Sequence, residues 1–272
     1  MNKKPLPNYP ANTHGLSKID FEWLLKDDYD HDDSLSATTL LKPTRELVAI
    51  KNCSDKLTSD ISDKIWAVVG TACHASRERV KYPGLQSEKR YYTTINNVKI
   101  SGKFDALDHA NNFPCLENKR VCQTDLVIND LKTTTLWNVA RGEFDDWINQ
   151  LSIYRLILHH NKIRTSEWAV ISALVRDWTD RAAKLKGIAG CQLQNIPIQL
   201  MDLTETHEMI SHKINLIIPY LDCRDINTIP LCSEEERQKY NSKICLKYCQ
   251  ARQICDYGQS LWTDALAEKE GV

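Results

Sequence analysis

The run Leu126-Val127-Ile128-Asn129-Asp130-Leu131-Lys132-Thr133-Thr134-Thr135 constrains this chain most. Its apolar and β-branched residues read as a strand, yet a carboxylate and an amine interrupt it. Asp130 and Lys132 are two apart, and a pleated strand repeats every two residues, so both side chains leave the same face. Opposite charges held side by side on a rigid, largely apolar strand are costly to fold unless they are used. A second strand-like run, Ser101-Gly102-Lys103-Phe104-Asp105-Ala106-Leu107, brings in another carboxylate. Trp147 to Tyr154 follows with apolar residues at helical spacing. Asp105 beside Asp130 could complete a cation site, because a hard ion such as Mg²⁺ takes one or two carboxylates plus water and substrate phosphate.

Ahead of this stretch, residues 1–35 are polar, with a short helix expected near Lys18–Lys26 and an acidic run Asp27–Asp33 expected in solvent. Ser36 is placed to cap a short helix that Pro43 ends. Residues 60–81 form the first strong helical pattern, through Ile61, Ile65, Val68, Val69 and Ala72. His74 lies on that helix, one turn from Glu78. A lone histidine there is a core or cap residue on its own evidence. Asn96-Asn97 between two β-like runs reads as a hairpin turn, and the strand through Asp105 is expected to continue to about Asp108. His109–Asp125 is a long connection whose Cys115 and Cys122 show no trusted metal spacing. Thr133-Thr134-Thr135 could bind phosphate or cap the next element. A helix from about Asp145 to Asn161 sets Gln150 and Tyr154 on one face. A buried strand follows at Trp168–Val175, another strand at Ile196–Leu200, and a helix that Thr204 caps, running to about Cys223. Strands alternating with helices after an antiparallel start give a mixed α/β sheet, an α+β fold.

The chain has 272 residues, with Lys+Arg 35 against Asp+Glu 36. It has no overall basic bias, which argues against a protein that merely coats nucleic acid by neutralising phosphates. No apolar run approaches the roughly 18 residues of a membrane span, and the opening Met1–Pro7 has no apolar segment behind it that would mark an export signal. The ten cysteines are then expected as reduced thiols or metal ligands in a cytoplasmic protein. The chain contains no phosphate-binding loop of the G-x-x-x-x-G-K-[ST] kind.

Four motifs in order, Gly70-Thr71-Ala72-Cys73-His74, Gly102-x-x-Asp105, Asp130-x-Lys132 and Gln150-x-x-x-Tyr154, resemble the PD-(D/E)XK nuclease superfamily, most closely its RecB-like branch. That branch includes CRISPR-adaptation nucleases and many phage proteins. The resemblance covers roughly residues 65–158 and implies a restriction-endonuclease-like core with flanking helices. It implies metal-dependent hydrolysis of DNA phosphodiesters, exonucleolytic in kind, in phage or mobile-element DNA processing or recombination. His74, Asp105, Asp130 and the Leu131 carbonyl would hold Mg²⁺ or Mn²⁺, with Lys132 catalytic and Gln150 and Tyr154 supporting it. Arg77, Arg79, Lys81, Lys89 and Arg90 are candidates for contacts to the DNA backbone, or else a solvated face. DNA is the implied partner, in the host cytoplasm if the gene is a phage's, with unwinding left to a separate helicase or recombination protein. A catalytically silent binding or assembly module on the same fold is the alternative, and a redox-sensing regulator a further rival.

Cys232, Cys245, Cys249 and Cys255 are spaced C-x₁₂-C-x₃-C-x₅-C. Four cysteines in a polar tail that cannot build its own core point to a structural metal. In RecB-like nucleases of the AddB and CRISPR-adaptation kinds, a related C-terminal trio with one upstream cysteine holds a [4Fe–4S] cluster. The last spacing here is similar; the first gap and the nearby position of Cys232 depart, which leaves Zn²⁺ open. The expected organisation is a polar lead-in at 1–35, a nuclease core at 36–228 and a cysteine-rich metal-binding clasp at 229–272.

Overall fold

Asn96 and Asn97 both take left-handed backbone angles, with φ of 49° and 62°. Such angles match the right-handed twist of the strands that a tight hairpin joins. The structure, a computed structural model, describes residues 10–26 and 33–270. The hairpin joins β3 (Arg90–Ile95) to β4 (Val98–Lys103), and with β1 (Leu35–Ser36), parallel to β4, it makes a small mixed sheet. A second mixed sheet runs β2 (Gln86–Ser87), β5 (Ala106–His109), β6 (Leu126–Thr134), β7 (Trp168–Val175) and β8 (Leu193–Gln199). Only the β6–β7 pair in it is parallel. β7 lies between β6 and β8 and is apolar almost throughout, as a strand covered on both faces must be.

The helices are α1 (Lys18–Leu25), α2 (Ala37–Leu40), α3 (Thr44–Asn52), α4 (Ile65–Glu78), α5 (Leu136–Arg141), α6 (Asp145–His160), α7 (Asp180–Leu185), α8 (Leu203–Ile217), α9 (Glu234–Ser242) and α10 (Asp256–Glu270). Ser36 caps α2 through the Thr39 amide at 3.1 Å, and Thr135 caps α5 through the Asn138 amide. The hydroxyl of Thr135 is therefore committed to a helix end. Among the described residues no helix is long and apolar enough to cross a membrane.

The chain divides into two compact units. One holds the described residues of Asp32–Leu41 and Ala67–Ser211; the other holds those of Met1–His31, Lys42–Trp66 and His212–Val272. Among the described residues all eight strands fall in the first, which is mixed α/β, and the second is helical. This division differs from the linear split at 35 and 228. The cysteine-rich segment packs with α3: Arg45 donates to the Ile229 carbonyl at 2.7 Å and Thr44 Oγ1 to Glu236 at 3.0 Å. A segment this polar needs apolar partners from elsewhere to build a core.

Other local expectations need correction. The strand expected to run unbroken through Asp105 to Asp108 is two strands in two sheets, β4 ending at Lys103 and β5 beginning at Ala106. Fully buried Phe104, stacked on Tyr91, fixes the crossing point. The pattern over 60–81 is a 3₁₀ turn, Ile61–Lys64, followed by α4, and α4 has no fully buried residue. Thr204 lies inside α8 and does not cap it; its amide is received by Asp202 Oδ1 at 2.7 Å, and the helix ends at Ile217, short of Cys223. Most of the acidic run, residues 27–32, lies outside the described residues.

Candidate metal centres

The break between β4 and β5 is what aims Asp105. β5 and β6 are antiparallel with Ala106 opposite Asn129, so one further step of that register sets Asp105 level with Asp130. Asp105 Oδ2 accepts the Leu131 amide at 2.6 Å and lies 3.0 Å from His74 Nδ1. The histidine comes from α4, whose Gly70 faces Thr133 on the same strand: a Cβ at Gly70 would lie 3.6 Å from the Thr133 hydroxyl. A helix laid along β6 thus delivers His74 to the carboxylate that the strand crossing presents.

Asp130 and Lys132 leave β6 on one face, as the two-residue repeat requires. Lys132 Nζ lies 2.7 Å from Asp130 Oδ2 and donates to Gln150 Oε1 at 2.9 Å. Gln150 in turn donates through Nε2 to the Tyr154 hydroxyl at 2.8 Å. Gln150 and Tyr154 are buried neighbours one turn apart on α6. The helix is drawn close by Gly102, where a Cβ would come within 2.8 Å of the Tyr154 ring and 2.9 Å of Ile157. Glycine at position 102 is what permits this approach.

The electrostatics mark the same cluster. Burial pushes the Asp130 carboxyl up, the Lys132 ammonium opposes that, and the Asp105 charge adds to it. The hydrogen bond to Asp105 raises His74 against the effect of burial, with further help from the charges of Asp105, Asp130 and Glu88. Apart from the close ion pair with Lys132, Asp130 Oδ2 is buried without a well-directed hydrogen bond among the described residues. A buried carboxylate oxygen short of donors is expensive, and a cation would satisfy it. The side-chain donors therefore fit a hard divalent ion: carboxylate oxygens and one imidazole.

One residue escaped the sequence reading. Glu88, at a φ of 55°, donates its amide to the Asp105 carbonyl at 3.1 Å and ion-pairs with Lys103. Ligand atoms of His74, Glu88 and Asp105 all lie within 4.8 Å of one another. No local pattern flagged Glu88, since it lies just past the two-residue strand β2. The Arg77 guanidinium donates through Nη2 to Asn129, which also bonds Ser172 at 3.0 Å. Lys81, Lys89 and Arg90 reach Ser87, Gln86 and Ser101 respectively, and Arg79 is exposed.

In the helical unit, Cys232, Cys245, Cys249 and Cys255 line one pocket with Arg45 and Arg237. The C-x₃-C gap is explained by a π-helical turn, Ile244–Tyr248, in which the Cys249 amide reaches back to the Ile244 carbonyl at 2.8 Å. A Cβ at Gly258 on α10 would meet the Arg252 backbone at 2.8 Å, so glycine lets that helix close over the turn. Burial pushes Cys249 up to about 12 and Cys232 up to about 11, and raises Cys245. Cys249 also feels Glu46, Cys245 and Cys232, while Cys232 and Cys245 both feel Cys255. Four thiols within electrostatic range, with Cys232, Cys245 and Cys249 costly to ionise alone, fit a site where a metal replaces the protons. Arg45 donates to Cys255 Sγ at 3.3 Å. Cys115 is half-buried and Cys122 exposed, apart from this group.

No family model matches the sequence, and no curated protein matches it. The chain is similar in structure to SSO0001, known from a crystal structure: 16% identity, a TM-score of 0.54, and coverage of 89% of this chain and 94% of that one. At that identity the likeness concerns the fold alone.

Proposed function

We propose that this chain is a metal-dependent deoxyribonuclease of the PD-(D/E)XK, RecB-like kind, working as an exonuclease on a restriction-endonuclease-like core. The observation that carries the reading is the convergence of His74 from α4 and Asp105 from the β4–β5 crossing beside the buried Asp130–Lys132 pair of β6. His74, Asp105, Asp130 and the Leu131 carbonyl are the residues that would hold Mg²⁺ or Mn²⁺. When bound, such an ion polarises the scissile phosphate and lowers the pKa of the attacking water.

The protein's own part is positioning and charge. Asp105 orients His74 through Nδ1 and is itself fixed by the Leu131 amide. Lys132 is held between Asp130 and Gln150, with Tyr154 holding Gln150. Its ammonium is thereby placed to meet negative charge that develops on the phosphate, and a fixed donor in a partly buried site acts there without reorganisation.

The four cysteines of the helical unit are proposed to hold a [4Fe–4S] cluster, with Zn²⁺ as the alternative. The C-x₅-C spacing of Cys249 and Cys255 is the feature that supports the cluster. The cluster would tie Cys232 to the turn carrying Cys245 and Cys249. DNA is the proposed partner, with a separate helicase or recombination protein for unwinding.

The test is a panel of blunt, tailed, circular and single-stranded DNA with Mg²⁺ or Mn²⁺. Degradation from ends, lost in Asp130→Ala and Lys132→Ala, is the expected result. Cleavage by the variants at the wild-type rate would remove the site assignment, and no cleavage of any substrate would leave the silent-module reading.

A further inference from the structure

α3 begins without a side-chain cap. Pro43 stands at its N-cap and makes no such hydrogen bond, so the first amides of the helix need partners from elsewhere. They find them in the cysteine-rich segment. The Thr44 amide donates to Glu236, 192 residues further on, at 3.0 Å, and the Arg45 amide is hydrogen-bonded to the Cys232 thiol. The Arg45 guanidinium reaches Cys255 Sγ through Nη1 at 3.3 Å, while Nη2 holds the Ile229 carbonyl at 2.7 Å. One residue therefore touches two of the four thiols, one by backbone and one by side chain. A third, Cys249, is hydrogen-bonded by the Ala251 amide.

The charges around this pocket lean one way. Arg45, Glu236, Arg237 and Arg252 line it. Glu236 is ion-paired with Lys213, and Glu46, whose charge acts on Cys249, with Lys42. Arg237 is fixed beside the thiols: it donates to the Cys232 carbonyl at 3.0 Å and to the Tyr257 hydroxyl at 3.2 Å, and its charge acts on Cys245. Guanidiniums keep their charge in proteins. Four thiolates around Zn²⁺, or around a cluster core of charge 2+, carry about two negative charges. Such a group is costly in a half-buried pocket unless cations compensate it.

We propose that Arg45 is the positioning residue and counter-ion of the cysteine site: it clamps Cys232 and Cys255 from the first turn of α3 and, with Arg237, neutralises the metal–thiolate group. The inference rests on reading the four cysteines as metal ligands, and it holds for zinc and for the cluster alike. α3 supplies no ligand, yet it belongs to the site.

Co²⁺ titrated into the reduced, metal-free full chain tests this. Cobalt on thiolates gives an intense sulfur-to-metal band in the near ultraviolet, which cobalt on carboxylates or imidazole lacks, so the acidic site stays out of the readout. The wild type is expected to show that band. Arg45→Gln keeps a donor but loses the charge. It is expected to weaken Co²⁺ binding about 10–100-fold against a competing chelator. It is also expected to move the band to longer wavelength, because a thiolate relieved of a cationic donor gives up charge more easily. Arg45→Lys restores the charge without the planar fork and should recover part of both effects. Helix content of the metal-free proteins, read by circular dichroism, should match; if Arg45→Gln loses helix, Arg45→Lys, intermediate in both readouts, carries the comparison. Equal affinity in Arg45→Gln overturns the proposal, and so does weaker binding with an unmoved band, which a merely structural arginine would give. Arg45→Lys binding no better than Arg45→Gln contradicts the counter-ion role. A wild type without the band removes the reading of the cysteines as a metal site, and the proposal with it.

Discussion

Gln150 Oε1 accepts a hydrogen bond from Lys132 Nζ at 2.9 Å, so a buried amide on α6 fixes the amine on β6. Gln150 hydrogen-bonds Lys132 and Tyr154, neither of them a proposed cation ligand. Gln150→Leu should therefore lower the cleavage rate by about 10²-fold, the cost of misplacing a reacting group by about an ångström. Tyr154→Phe removes only the outer partner of the chain and should cost less. Single-turnover rates at saturating DNA check both. Gln150→Leu cleaving as fast as wild type would show that Lys132 needs no such support.

Gly102 lets α6 approach the β3–β4 hairpin. Alanine there would press on Tyr154 and Ile157. Overpacking of this kind costs about 1–3 kcal/mol, and here part of the strain passes through Tyr154 to Gln150. Gly102→Ala should lower the unfolding free energy measured by urea by that amount and slow cleavage as well. Unchanged stability would mean that α6 moves aside freely.

The helical unit should depend on pH through Glu236. Burial raises this carboxyl, but the Lys213 ion pair and hydrogen bonds from Lys213, Thr44 and Ser233 outweigh burial and leave it below its ordinary value of 4.5. The native state then releases the proton more readily than the unfolded chain does. The stabilisation is fully present above pH 4.5 and is lost as the pH falls through the lower native value. Urea midpoints should fall in the wild type on acidification below that point, and Glu236→Gln should begin lower and lack that part of the loss. Parallel curves for the two proteins would contradict this.

Removal of the metal at the cysteines should loosen the helical unit, because binding energy at such a site is folding energy. Cys249→Ser and Cys232→Ser should each abolish stoichiometric metal and lower the melting temperature. Anaerobically isolated wild type should be coloured with a broad visible band. Colourless protein holding one zinc per chain would replace the cluster by zinc.

How much of this was legible beforehand follows from the range of the interactions. The hairpin at Asn96-Asn97, the strand carrying Asp130 and Lys132, and the α6 face with Gln150 and Tyr154 are set by neighbours a few residues away, and patterns of period two or 3.6 record them. The sheet change at Phe104–Asp105 is not local: it depends on Phe104 finding Tyr91 and on β5 finding β6. The run Ser101 to Leu107 reads as continuous because nothing within it records that choice. Glu88 was missed for the same reason, since only the pairing of β2 with β5 brings it to Asp105. The cysteine spacing was plain, but its partner helix α3 lies far away in sequence, where no short pattern could reach it.

Divalent-ion-dependent DNA cleavage by wild type, Asp130→Asn and Lys132→Met, each first shown to be folded, bears most directly on the central claim. Wild type should cleave with Mg²⁺ or Mn²⁺, and each variant should be slower by about 10²–10⁴-fold. Variants that cleave at the wild-type rate would contradict the claim that Asp130 and Lys132 carry the chemistry.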